Sequence, residues 1–123
     1  MAFQIDKNGN ITLVQGDSGK ITVSGIKTDK NYTVYFGIKD KQRNTVGSEL
    51  SVSSNGMSSV IFELTGDFTD LLKVPKNKLL ETYYYGIKVC DSVSGYEDTL
   101  VFGGCGFLNL NTITVFPKKV EGI

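Results

Sequence analysis

Histidine and tryptophan are absent from this chain of 123 residues, proline and cysteine occur only twice each, and thirteen basic residues are cancelled by thirteen acidic ones. Without imidazole, the usual general base and zinc ligand is missing, and catalysis would have to rest on a carboxylate pair or a thiol. Without a basic excess, or a basic block interleaved with aromatics, nucleic acid is excluded as a partner. Neutrality also favours association. Cys90 and Cys105 are too few for a disulfide framework and lack the CxxC or Cys/His spacing of a structural zinc site. They read as two half-buried thiols, with a bridge between them as the alternative. No run approaches the ~20 apolar residues that cross a bilayer, and the opening MAFQIDKNGN has no basic or apolar leader region. The expectation is a soluble protein made in the cytoplasm, without a membrane partner, folded as one domain over 1–123.

One motif suggests chemistry. GDSG at 16–19 matches four of the five letters around the nucleophile of trypsin-like proteases. A serine hydroxyl needs a base to become a nucleophile, the chain has no histidine, and Lys20 stands where a second glycine belongs. GDSG instead lies between two alternating runs, NITLVQ (10–15) and KITVSGI (20–26), so Ser18 reads as a turn residue.

What the chain has in quantity is strand chemistry. Val, Ile, Thr, Tyr and Phe alternate with polar residues, which suits a pleated, half-buried surface. YTVYFGIKD (32–40) sets Val34, Phe36 and Ile38 on one face; SSVIFEL (58–64) sets Val60, Phe62 and Leu64 in phase; TYYYGIKVCD (82–91) sets Tyr83, Tyr85, Ile87 and Val89 in phase. SELSV (48–52), YEDTLVF (96–102) and NTITVFP (111–117) are further strands, and KQRN, SSNG and DSVSG are turns. One segment differs: TGDFTDLLKVP predicts a helical turn capped by Thr65 or Asp67, with Phe68, Leu71 and Leu72 pointing inward and Pro75 ending it. The fold class is therefore all-β, an immunoglobulin-like antiparallel β-sandwich of about eight or nine strands with one short helical turn. Phe36, Phe62, Tyr85 and Ile87 are the expected core, on facing sheets.

YFGIK (35–39) is echoed by YYGIK (84–88). The echo is too short for a repeat unit, but it gives two strands the same outward row. Tyr35, Gly37 and Lys39 form one, Tyr84, Gly86 and Lys88 the other. Glycine in a strand marks close approach of another backbone, and tyrosine is enriched at interface centres. Tyr35, Gly37, Tyr84 and Gly86 are thus the candidate interface. In the simpler account each tyrosine lies over its neighbouring glycine and shields its own sheet.

Enzymatic and cofactor sites do not assemble. Glu97 and Asp98 point to opposite faces of a strand, and Asp67 with Asp70 reads as acidic residues favoured by a helix N-terminus. DKNGN (6–10) is a hairpin turn rather than a calcium loop, and GGCG (103–106) precedes no helix that would make it a phosphate loop. The expectation is no enzyme activity, no metal and no cofactor.

The order of motifs adds a resemblance. QGDSGKITV, YTVYFGIKD, LTGDFTDLL, YYYGIKVCDSVSGYEDTLVFGG and NTITV, covering nearly the whole chain, together resemble the virion-anchoring sandwich module of tailed-phage baseplate, upper-fibre and tail-fibre proteins. Glu81 and Thr82 stand where that group has glycine before the tyrosines, and Gly86 takes the acidic position of its YDI motif. The resemblance implies a virion structural protein that binds copies of itself and neighbouring capsid, portal or tail proteins. A capsid decoration, a head-fibre base and a tail or baseplate adaptor all remain open. The rival reading is a carbohydrate-binding sandwich whose exposed tyrosines stack on a surface glycan.

Overall fold

The computed structural model describes residues 3–6, 8–91, 93, 95–101 and 111–118, and of 96–101 the backbone alone. Among the described residues nine strands and one helical turn follow one another: β1 (Gln4–Ile5), β2 (Ile11–Val14), β3 (Gly19–Ser24), β4 (Thr33–Lys39), β5 (Thr45–Ser53), β6 (Ser59–Leu64), α1 (Gly66–Thr69), β7 (Glu81–Asp91), β8 (Tyr96–Val101) and β9 (Thr112–Phe116). They form an immunoglobulin-like β-sandwich of unequal layers. One sheet has seven strands in the order β1-β2-β9-β7-β4-β5, with β8 also paired to β7; the other, among the described residues, is made of β3 and β6. The far edge of β7 is shared, since Glu81–Tyr84 pairs with β9 and Ile87–Asp91 with β8.

The sandwich is not wholly antiparallel. β2 runs parallel to β9, with Ile11 opposite Ile113 and Leu13 opposite Val115. Alternation fixes which face of a strand is buried but says nothing about its neighbour's direction. Here the chain leaves β2 through the GDSG bend into the opposite sheet, which frees β2 to border the last strand.

The period-2 runs bury the side predicted for them. Val34, Phe36 and Ile38, then Val60, Phe62 and Leu64, then Tyr83, Tyr85, Ile87 and Val89 all face the core. Phe36 is fully buried between Phe62, at a ring-centroid distance of 5.6 Å, and Tyr85, at 5.5 Å. Phe36, Tyr85 and Ile87 share the larger sheet, and Phe62 meets them from the smaller one. Two buried tyrosines use their hydroxyls as anchors, because a phenol inside a core needs a partner. Tyr83 donates to the Lys73 carbonyl at 2.5 Å, tying the segment after α1 to the start of β7. Tyr85 donates to the Gly9 carbonyl at 2.5 Å, tying the β1–β2 hairpin tip to the core.

Two turns are built alike. Asp6 Oδ1 accepts the amides of Asn8 (2.8 Å) and Asn10 (2.9 Å), and Asp40 Oδ1 accepts those of Gln42 (2.9 Å) and Asn44 (2.9 Å). Both need a left-handed fourth residue, which is Gly9 (φ 86°) in one and Arg43 (φ 68°) in the other. DKNGN and DKQRN are therefore the same turn, one with glycine at the strained position and one without.

In α1, Thr65 is the cap, its Oγ1 accepting the Phe68 amide at 3.2 Å. Leu72 is buried as expected, but Leu71 remains 46 % exposed and Phe68 half-buried. A four-residue helix turns once, so three apolar side chains cannot all share its inward side. The GDSG bend packs on this element: Thr69 Oγ1 donates to the Asp17 carbonyl at 2.8 Å, and a Cβ on Gly66 would stand 2.6 Å from the Gly16 carbonyl oxygen.

Candidate interaction surface

The four residues singled out by the echo lie together on the outer face of the seven-stranded sheet. β4 and β7 pair antiparallel with Tyr35 opposite Lys88, Gly37 opposite Gly86 and Lys39 opposite Tyr84. The two echoed sequences thus run past each other around a local dyad between the glycines. Seen from outside, a glycine floor is flanked on each side by one tyrosine and one lysine. Tyr35, Gly37, Tyr84 and Gly86 are half-buried, while Lys39 and Lys88 are exposed.

At Gly37 the space above the floor bears on the two accounts of the tyrosines. A Cβ on Gly37 would have one neighbour outside its own chain segment within 4 Å, Glu49 Oε2 at 4.0 Å. Neither the Tyr35 ring nor the Tyr84 ring comes within 4 Å of that position, so shielding of Gly37 by either is not what the geometry shows. Gly37 also lies outside the positive-φ glycines. Neither crowding nor backbone conformation calls for glycine there.

Several neighbours on this face were not singled out by the sequence pattern. Glu49 reaches Gly37 because the β4–β5 register slips between Phe36 and Ile38, with Gly47 in the left-handed region at φ 72°. The only sequence signal for that bulge is a glycine inside an otherwise strand-like run. Thr12, Thr114 and Thr82 line up across β2, β9 and β7, and Thr112 stands opposite Tyr84. That row depends on the parallel β2–β9 pair, which strand patterns do not encode. Lys39 Nζ donates to Thr45 Oγ1 at 3.4 Å.

The remaining candidates are dispersed. Ser18 is exposed at the rim of a cleft of about 180 Å³ lined with Gly19, Lys20, Glu63, Leu64 and Thr65, below the ~300 Å³ lower end of small-molecule pockets. Asp70 is paired with Lys118, Oδ1 to Nζ 2.8 Å, and the lysine holds its carboxyl below the ordinary aspartate value. Asp67 sits in the first turn of α1. Glu97 and Asp98 are adjacent on β8, opposite Cys90 and Val89. Cys90 is half-buried on β7, whereas Cys105 and the GGCG segment lie outside the described residues, as does any bridge between the two cysteines. Among the described residues no three His, Cys, Asp or Glu side chains cluster as metal ligands, and no helix is long and apolar enough to cross a membrane.

No protein-family model matches the chain, and no curated protein matches it. Among solved structures, it is similar to the periplasmic chaperone SfaE, with a TM-score of 0.54 and 8 % sequence identity over 88 % of this chain. The match covers 53 % of the chaperone chain, so the present sequence spans about half its length. At that identity the likeness is one of fold, and it agrees with the immunoglobulin-like sandwich built up above.

Proposed function

We propose that this chain is a non-catalytic structural protein of a phage virion, working by self-association and by binding neighbouring virion proteins through the outer face of the seven-stranded sheet. The motif series from QGDSGKITV to NTITV supports the virion setting. The observation that carries the binding role is the glycine floor at Gly37 and Gly86, flanked by Tyr35 and Tyr84 and left uncovered at Gly37 by the side chains of the described residues. Such a floor lets another backbone approach closely, while the tyrosines supply contact area at small entropic cost.

The test is Tyr84→Ser, followed by sedimentation, by incorporation into particles and by thermal unfolding. Loss of association with little change in stability supports the reading. Destabilisation of a protein that still assembles sinks it. Retention on host cell-wall polysaccharide that vanishes in Tyr84→Ser would replace it with glycan binding on the same face.

A further inference from the structure

The two-stranded sheet is too narrow for the one it covers. Phe36 and Phe62 meet across the core, so β6 faces β4; β5 lies one strand spacing further out, approaches β6 where the turn 54–58 joins them, and among the described residues no strand pairs with β6 on that side. The inward residues of β5, Val46, Leu50 and Val52, pack on the core yet remain half-buried. One end of this shelf is closed by Phe68 and Leu71, which come within 3.1 and 3.2 Å of where a Gly47 Cβ would stand. At the other end the turn 54–58 joins β5 to β6. Between them Leu50 and Val52 lie beside the free edge of β6, which no strand among the described residues pairs.

Among the described residues that edge has few of the usual protections against strand addition, which are charged side chains (lysine above all), proline, a bulge or a covering element; its one charge is the exposed Glu63, paired with Lys20 of β3 (Nζ to Oε2 3.7 Å). β6 pairs β3 over six consecutive residues without a register shift, and it contains no lysine or proline. The other open edges among the described residues are blunted: β3 carries Lys20 and begins at Gly19, which lies under the Phe3 ring, β5 is broken by its bulge, β1 is only two residues long, and β8 carries Glu97 and Asp98 and pairs with a register shift. On the outer side of β6, Ile61 is 53 % exposed between Ser59 and Glu63.

We infer that the edge of β6 together with the Leu50–Val52 shelf receives one added β-strand, an extended terminal segment of a partner polypeptide. A second folded copy pairing its own β6 here would drive its β5 into this one, because each β5 overhangs its β6 by a strand spacing while the dyad would lie half a spacing out. A single segment has no overhang. It would be about five or six residues long, the length of an ordinary strand, with apolar residues at alternate positions over the shelf. Its other face would carry β-branched residues beside Ile61 and a basic residue on the side of Glu63 away from Lys20, with which Glu63 already forms an exposed ion pair (3.7 Å). This deepens the assembly reading by naming a second contact, on a different surface from the Tyr/Gly face.

The probe is a synthetic peptide, Lys-Val-Thr-Val-Thr-Val-Lys, titrated into isotopically labelled protein. The expected result is amide shifts along Ser59–Leu64 and methyl shifts at Leu50 and Val52, lost when the middle valine of the peptide is proline, which removes a ladder donor. Ile61→Lys, at an exposed position, should keep the fold and weaken the peptide about tenfold, or about 1.4 kcal/mol. Absence of shifts at millimolar peptide, shifts confined to β3 or to the Tyr35/Tyr84 face, or equal binding of the proline peptide overturns the inference. Tyr84→Ser should leave peptide binding unchanged. If Tyr84→Ser abolishes assembly and the peptide ignores β6, the edge falls alone; if the peptide binds β6 and Tyr84→Ser still assembles, the Tyr/Gly reading falls alone.

Discussion

Gly37 stands directly opposite Gly86 in the β4–β7 ladder, and the space above Gly37 would admit a methyl group. Glycine inside a strand costs roughly 0.5–1 kcal/mol relative to alanine, through backbone entropy and lost packing. Gly37→Ala should therefore raise the urea midpoint of the isolated protein while weakening its association. A variant that is more stable and associates as before would show that no partner approaches this floor.

Phe36 is fully buried between Phe62 and Tyr85. Phe36→Ala should cost about 3–5 kcal/mol, the transfer term plus the cavity left at the centre of the sandwich. Equilibrium urea unfolding measures it. A loss below about 1 kcal/mol would place Phe36 on the other face of β4, since a one-residue slip moves every side chain.

Arg43 occupies the left-handed position that Gly9 fills in the matching turn. A non-glycine residue pays a steric penalty in that region of roughly 1–2 kcal/mol, part of which is offset because glycine makes the unfolded chain more flexible. Arg43→Gly should therefore stabilise the protein by about 0.5–1 kcal/mol in thermal or urea unfolding. Gly9→Ala should do the reverse and more strongly, because its Cβ would also collide with Asn111 Nδ2 in the hairpin tip.

Burial pushes the phenols of Tyr83 and Tyr85 above their ordinary value near 10. A raised pKa means that the native state holds these protons after the unfolded chain has released them. Their contribution is fully present below pH 10 and is lost as pH rises from there through the folded values. Urea midpoints should thus hold up to about pH 10 and fall as pH rises above it. Tyr85→Phe should flatten that fall, and at neutral pH it should cost about 1 kcal/mol through loss of the bond to the Gly9 carbonyl. An unchanged alkaline slope in the variant would show that Tyr85 does not contribute to it.

The sequence by itself determined the faces. Alternation placed Val34, Phe36 and Ile38 inside and Tyr35, Gly37 and Lys39 outside, because side chains of a strand alternate strictly and a half-buried sheet sorts them by polarity. It also determined the turns, where Asp6, Asp40, Gly9 and Gly16 act through hydrogen bonds and backbone conformations that depend on a few adjacent residues. The echo of YFGIK in YYGIK was legible as two equivalent strands. Tertiary structure decided that those strands are neighbours in opposite directions, with glycine against glycine, since register is fixed by pairing across a long loop. It likewise decided the parallel β2–β9 pair, the bulge that brings Glu49 to Gly37, and the width of each sheet. Leu71 escaped the core because the helical turn is too short to bury every apolar residue near it. Period is a local property of the chain, whereas strand partners, overhang and open edges arise from which distant segments meet, and no local pattern of polarity encodes that.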